Sequence, residues 1–179
     1  RDFEVIMLAE RFLKNLNIID RVVLQINNLG NNDSRNEYKK ILNDYYNQNK
    51  KKLSKDSLVR LKKNPLRILD SKNLADIEIN RNAPIINEYL SLECKKQFSN
   101  LKNMLKNFNI SYQENPLLVR GLDYYNNNIF EFTSKNNSKF AVLAGGSYND
   151  LVKQLGGPAL PGIGWAAGIE RIIEYIKPE

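Results

Sequence analysis

The 179 residues include no histidine and one cysteine, Cys94. Without histidine there is no Ser-His-Asp or Cys-His relay and no histidine-ligated metal. One cysteine excludes an intrachain disulfide and a thiolate zinc site, and is compatible with a reducing compartment. No apolar run approaches the roughly 18 residues needed to span a bilayer. The opening Arg1-Asp2-Phe3-Glu4 lacks the character of a signal peptide, so no membrane is expected as a partner. No G-x-x-x-x-G-K-[ST] stretch occurs, which excludes a P-loop as a local motif. Any catalysis must rest on charge, on positioning, or on a hard cation held by carboxylates.

What is present suits a soluble globular chain with one core, or a core plus a small satellite: 42% hydrophobic and 26% charged residues. The 27 Lys+Arg against 20 Asp+Glu give +7, with a pI near 9.4, which favours a polyanion such as RNA or ATP without specifying one. The clusters Lys50-Lys51-Lys52, Lys62-Lys63 and Lys95-Lys96 fit solvated helix faces or phosphate contacts.

Residues 2–17 carry Phe3, Ile6, Met7, Leu13 and Leu16 at helical spacing, and residues 21–27 are rich in branched side chains ahead of Asn28-Leu29-Gly30, which predicts a helix followed by a strand and turn. The character then becomes helical. Asp33 or Ser34 caps a helix bearing Tyr38, Ile41, Leu42 and Tyr45, and Ser54 opens a short one with Leu58 and Leu61 that Asn64-Pro65 ends. Further helices are expected from Pro84 to Leu90 and across 92–107. This all-helical middle, 33–108, reads as an insertion between segments 1–32 and 109–179 of a sheet domain. Strands are expected at 110–112, 117–121, 128–133 and 140–144, with hairpin turns at 126–128 and 136–138. Such short links require antiparallel pairing. Helices at 147–155 and 166–176 complete an α+β chain.

Three stretches could carry chemistry. Arg120 ends an apolar run, where a guanidinium needs a carboxylate or phosphate partner; a salt bridge to Asp123 or Glu131 would also satisfy it. Tyr124 and Tyr125, if on a strand, face opposite sides and could be cross-strand packing alone. Gly145-Gly146, placed between a strand and a helix, would let a ligand approach the backbone and leave helix-start amides for an anion, or simply make a tight turn. Residues 162–167, Gly-Ile-Gly-Trp-Ala-Ala, match the dinucleotide pattern G-x-G-x-x-[GA]. The stretch before them is Gly- and Pro-rich rather than a strand, and the sequence ends before the position about 20 residues on where an acidic residue is required. A small-residue strand running into a helix, with room for a flat ligand and Arg171 one turn in, fits better.

Arg120-Gly121-Leu122-Asp123-Tyr124-Tyr125, followed by Phe130-Glu131, resembles the histidine-binding signature of histidyl-tRNA synthetases. Ile26-Asn27-Asn28-Leu29-Gly30, Asn64-Pro65-Leu66-Arg67-Ile68-Leu69-Asp70-Ser71-Lys72 and Ala83-Pro84 are similar to further family landmarks, and the order matches the second half of a catalytic domain. The resemblance implies a class II synthetase-like antiparallel sheet flanked by helices, with a helical insertion. It implies a histidine-tRNA ligase that activates histidine with ATP and Mg²⁺ and transfers it to tRNA(His), acting as a cytoplasmic homodimer. By resemblance, Arg120 is catalytic, stabilising charge on the α-phosphate and contacting the histidine carboxylate. Tyr124, Tyr125, Tyr148, Gly145 and Gly146 line the histidine pocket, Gly164 and Gly168 make room for adenosine, and Arg171 clamps the γ-phosphate. No metal-ligating residue is implied. The insertion is expected against the tRNA acceptor arm, which gives the lysines of 50–63 a partner.

Two departures stand out. The family pattern Gly-Gly-Arg-Tyr-Asp is here Gly145-Gly146-Ser147-Tyr148-Asn149, which loses a charge pair. The first and second class II motifs and the anticodon-binding domain are not found, so the expectation is a fragment that does not aminoacylate alone. The alternative is a non-catalytic histidine-sensing paralogue such as the regulatory subunit of ATP phosphoribosyltransferase. The intact 120–125 motif favours the enzyme, while Ser147 and Asn149 lean the other way.

Overall fold

The computed structural model describes residues 1–136 and 140–176. Helix α1 (Asp2–Asn15) buries Phe3, Ile6, Ala9 and Leu13, residues three or four apart on one stripe. Asn17 at φ 55° reverses the chain, a conformation asparagine tolerates, and β1 (Val22–Asn28) follows. This is the helix–strand start that the sequence predicts.

β1 joins β2 (Gln113–Glu114), β3 (Asn126–Ser134), β4 (Ala141–Ser147) and β5 (Ile163–Ala167) in one sheet of order β2-β1-β3-β4-β5. Neighbours β1, β3, β4 and β5 pair antiparallel, as expected for this α+β chain. The two-residue β2 is parallel to β1 through Gln25–Gln113 and Ile26–Glu114, so the sheet is mixed. The long helical middle supplies the crossover that a parallel pair requires.

Alternation along the strands sorts side chains to two faces. Leu24, Ile26, Phe130, Phe132 and Leu143 meet α1 and α5 (Leu92–Asn107), whose Phe98, Leu101 and Leu105 complete that core. Full burial of each phenylalanine here stabilises by about 2–3 kcal/mol. Over the other face lie α2 (Asn32–Gln48), α3 (Lys55–Lys63) and α4 (Leu74–Asn80), with Tyr38, Leu42, Tyr46, Leu61, Leu66 and Ile68 packed against Leu118, Val119, Tyr125 and Ile129. The buried phenols are satisfied: Tyr38 donates to Pro84 O at 2.8 Å and Tyr46 to Asn80 Oδ1 at 2.7 Å.

Several local expectations are corrected. Asn31, rather than Asp33 or Ser34, caps α2, its side chain accepting from Ser34 N at 2.9 Å. From Pro84 to Leu90 there is one 3-10 turn, Ile86–Glu88, while α4 is a helix the pattern did not show. No strand forms at 110–112 or 117–121. In the latter, Asn115 makes a local turn instead, its Oδ1 taking Leu117 N and its carbonyl Leu118 N, both at 3.0 Å. The Asn27 amide then caps the carbonyls of Pro116 (3.2 Å) and Leu118 (2.9 Å), standing in for ladder bonds. Residues 126–128 are not a turn but the start of β3, where an irregular register accommodates Asn127 at φ 50°. The expected turn at 136–138 extends outside the described residues. The expected strand at 140–144 runs further, to Ser147, so the helix foreseen from there shrinks to α6 (Leu151–Gln154), and the last helix is α7 (Ile169–Ile173).

Candidate active site

The face of the sheet opposite α1 carries Glu131 on β3, Ala144 and Gly146 on β4, and Gly164 and Ala166 on β5, in register as Glu131–Ala144–Ala166 and Ile129–Gly146–Gly164. These small side chains make a low floor. Three phenols stand around it. Tyr124 and Tyr125 have ring centroids 4.6 Å apart, and Tyr148 meets them edge-on at 5.8 and 6.3 Å. The expectation that Tyr124 and Tyr125 point to opposite sides is therefore corrected: their segment is irregular, and strand alternation does not apply.

Arg120 reaches the floor from the same segment. Its Nη1 donates to Glu131 Oε2 at 3.0 Å, and its guanidinium lies 5.8 Å from the Tyr125 ring centroid. Of the two partners considered, Glu131 is the one used. The pair is largely shielded, with side chains 21% and 16% exposed, and the Arg120 Nε is buried without a hydrogen-bond partner among the described residues. Burial pushes the Glu131 carboxyl up, and Arg120 opposes that only in part. Burial, then the hydrogen bond with Tyr124, pushes the Tyr125 phenol up to about 12, so it stays protonated and can donate at neutral pH.

Gly162, Gly164 and Tyr148 interlock. Tyr148 N donates to Gly162 O at 2.8 Å, and its ring lies where a Cβ on Gly162 would come within 2.1 Å of it; a Cβ on Gly164 would stand 3.4 Å from the phenol oxygen. Gly146 belongs to the same floor, since a Cβ there would meet Ile129 Cγ2 at 2.8 Å. Gly145 does not. It pairs with Trp165, and its missing Cβ would strike Gly164 O at 2.2 Å; Trp165 in turn packs on Phe12 of α1. Both glycines sit inside β4 rather than ahead of a helix, so they offer no helix-start amides. Gly168 precedes α7, where a Cβ would meet the Arg171 stem at 3.2 Å. Arg171 itself donates to Ala141 O and lies 5.8 Å from the Phe140 ring, at the end of β4 away from Tyr148. It is exposed and outside the tyrosine cluster.

Ser147 and Asn149 are absorbed elsewhere. Ser147 is buried and donates to Asp2 Oδ1 at 3.3 Å, and Asn149 N donates to Asn126 Oδ1 at 3.1 Å. Among the described residues no group of three or more Asp, Glu, Cys or His side chains could hold a metal ion, so this donor set does not by itself fit Mg²⁺. A hollow of about 480 Å³ between α1 and β1, lined by Glu10, Lys14 and Tyr112 among others, lies away from the tyrosines and contains none of the expected site residues.

Residues 1–172 match the family described as Histidyl-tRNA synthetase. The chain belongs to that family. It is 46% identical over 177 residues to the histidine–tRNA ligase of Rippkaea orientalis, covering 98% of this chain and 41% of that protein. It is 47% identical over 176 residues to that of Latilactobacillus sakei, covering 96% and 40%. The chain thus spans about two fifths of the length of the curated relatives it matches. Among solved structures it is similar to apo S. aureus histidyl-tRNA synthetase, with a TM-score of 0.72, 31% identity, and coverage of 97% of this chain and 42% of that one. A Bacillus halodurans protein titled as an ATP phosphoribosyltransferase regulatory subunit/histidyl-tRNA synthetase shares the fold, at TM-score 0.58 and 20% identity. With ligases at 44–47% identity, the non-catalytic alternative is not favoured.

For this synthetase-family chain, the structure adds residues that pattern reading passed over. Arg35, Asn64 and Arg67, all from the helical middle, donate to the 121–125 segment beside Arg120. Asn64 and Arg67 lie in the Asn64–Lys72 landmark, a signal that was available. Arg35 lies in an ordinary polar helix and gave none.

Proposed function

We propose that this chain supplies the histidine pocket and part of the ATP site of a histidine–tRNA ligase. One observation carries the reading: Arg120, held on Glu131 at the rim of a small-residue floor, beside three phenols. Histidine sits among Tyr124, Tyr125 and Tyr148 over Gly146, where protonated phenols can hydrogen-bond an imidazole nitrogen or a carboxylate. Adenosine lies flat along Gly164 and Ala166 towards Gly168, and the phosphates extend to Arg171. Gly145, turned to the other face, contributes by letting β5 approach rather than by touching ligand.

In the first step a histidine carboxylate oxygen attacks the α-phosphorus of ATP. A new P–O bond forms while the bond to pyrophosphate breaks and pyrophosphate leaves with that electron pair. Arg120 acts on the charge that grows on the α-phosphate oxygens, fixed in advance by Glu131 so that little reorganisation is needed. In the second step a terminal ribose hydroxyl of tRNA(His) attacks the histidyl carbonyl: the ester C–O bond forms, the carbonyl–phosphate bond breaks, AMP leaves with that electron pair, and the hydroxyl proton passes to the departing phosphate. Mg²⁺ enters as the counter-ion of ATP.

The helical segment 33–108, with exposed Lys50, Lys51, Lys52, Lys62 and Lys63, meets the tRNA acceptor arm. A cytoplasmic homodimer is the working assembly; no helix among the described residues is long and apolar enough to cross a membrane. The test is histidine-dependent ATP–pyrophosphate exchange by the full-length gene product. Arg120→Ala should lower exchange by orders of magnitude in a protein that circular dichroism still shows to be folded, although stranding Glu131 lowers its melting temperature. Near-wild-type exchange in that variant overturns the assignment, and no exchange in the wild type favours a histidine sensor.

A further inference from the structure

The segment that carries the site residues has almost no backbone ladder of its own. Between Arg120 and Tyr125 its one internal backbone bond is a long turn contact, Tyr125 N to Leu122 O at 3.5 Å. Its shape is instead held by side chains of the helical middle. Arg67 Nη1 donates to Gly121 O at 2.8 Å, Asn64 Nδ2 to Asp123 Oδ1 at 2.7 Å, and Arg35 Nη1 to Asp123 O at 3.1 Å and also to Tyr125 O. These donors are braced in turn. Arg67 Nε lies 3.5 Å from Asp70 Oδ2, Arg60 Nη1 lies 3.1 Å from Asp70 Oδ1, and the same Arg60 nitrogen donates to Arg67 O at 2.7 Å. Arg35 also donates to Asn32 Oδ1 at 3.1 Å, within the first turn of α2.

We infer that Arg35, Asn64 and Arg67 are positioning residues for the adenylation step: they hold segment 121–125 so that Arg120, Tyr124 and Tyr125 converge over the floor. Arginine suits this task because one planar guanidinium can bond two carbonyls in fixed directions while other nitrogens remain on a brace. Lysine offers a single charge on a flexible stem. The donors act on carbonyls and on one carboxylate of the segment, so removing one changes where Arg120 lies without touching substrate. A displacement of about 1 Å at a reacting group costs about 100-fold in rate.

The inference rests on the adenylation reading of Arg120, and the experiment separates the two. In the full-length gene product, Arg67→Ala should lower kcat for pyrophosphate exchange about 10- to 100-fold, with the ATP KM moving far less. Arg67→Lys should recover part of the loss. In an Arg120→Ala background, Arg67→Ala should cost clearly less than it does alone, because part of its effect runs through Arg120 and only the part that runs through Tyr124 and Tyr125 remains. Amide hydrogen exchange should quicken at 121–125 in Arg67→Ala and in Asn64→Ala, and stay unchanged at 129–133. Full additivity with Arg120→Ala, or unchanged protection at 121–125, overturns the positioning role. Retained exchange in Arg120→Ala alone overturns the adenylation reading instead, and leaves the hydrogen-exchange result to decide what holds the segment.

Discussion

Next to the brace behind the site lies a second network built on one buried carboxylate, which makes Asp76 the most informative residue to perturb for stability. It is completely buried and accepts from Ser54 N (2.9 Å), Ser54 Oγ (2.6 Å), Ser57 Oγ (2.7 Å) and Ser71 Oγ (2.6 Å). The network ties α4 to the cap of α3 and to the residue just past the Asn64–Asp70 turn that presents Asn64 and Arg67. Asp76→Ala strands these donors in the interior, and at about 1–2 kcal/mol for each that cannot rotate to another partner the loss should reach about 4 kcal/mol. Asp76→Asn keeps one carbonyl for Ser54 N and lets hydroxyls turn round to accept, so about 2 kcal/mol is expected. The pH dependence has a definite sign. Burial alone would raise this carboxyl, but hydrogen bonds from Ser54, Ser57 and Ser71 outweigh it and hold the folded value below the ordinary 3.8. A depressed carboxylate contributes stability that is complete above its unfolded value and is lost as pH falls through the folded one. The gap between wild type and Asp76→Asn, read from urea midpoints, should be constant from neutral pH down to about 5 and close below the ordinary aspartate range. Equal stability at pH 7, or a gap that widens on acidification, would refute the reasoning.

Glu131 should behave in the opposite sense. Burial raises its folded value above the ordinary 4.5, so the stability it contributes is complete below that value and is lost as pH rises through the folded one. Glu131→Gln should therefore gain on wild type as pH rises above the ordinary glutamate range, and urea midpoints that shift in parallel would contradict this. Gly145→Ala should destabilise by about 3 kcal/mol, since its Cβ would lie 2.2 Å from Gly164 O with backbone on both sides; an unchanged melting temperature would show that the strands can separate without cost. Gly162→Ala should displace the Tyr148 ring, which a Cβ would approach to 2.1 Å, and raise the histidine KM of the full-length product about tenfold. An unchanged KM would remove Tyr148 from the pocket.

Periodicity made the long elements legible. Helices at 2–15 and 92–107 and the strand at 22–28 follow from apolar spacing strong enough to outweigh local alternatives. Two of the failures, at 117–121 and at 126–128, share a physical source in asparagine. Asn115 and Asn27 bond the backbone of 116–118 and pre-empt a strand that Leu117, Leu118 and Val119 would otherwise suggest. Asn127 accepts a positive φ and so continues β3 where an Asn-Asn-Asn run looks like a turn. A side-chain amide that can either end a strand or repair one gives no directional signal in the sequence. The candidate site was legible as a set of residue types but not as a shape, because residues 120–125 take their geometry from Arg35, Asn64 and Arg67, 54 to 90 positions away from their acceptors.

The glycines show most clearly how one pattern serves two folds. Gly162-Ile163-Gly164-Trp165 fits the start of a dinucleotide-binding turn, where glycines let backbone amides face a pyrophosphate. Here the same spacing of two is a strand period: Gly162 and Gly164 share the face under Tyr148, while Trp165 turns to Phe12 on the other. Gly145 and Gly146, adjacent rather than alternate, must serve both faces at once. One relieves the approach of β5 and the other lowers the floor beside Ile129. A flat ligand on this floor would rest on side-chain-free strand rather than in a loop, and its charged end would need a cation brought in from outside the sheet. Arg120 is placed to meet that need in the proposed complex, because its segment is fastened to the helical middle and only leans on β3 through Glu131. Floor and cation are thus built by different layers, and on the proposed reading the adenylation geometry is set where the two layers meet.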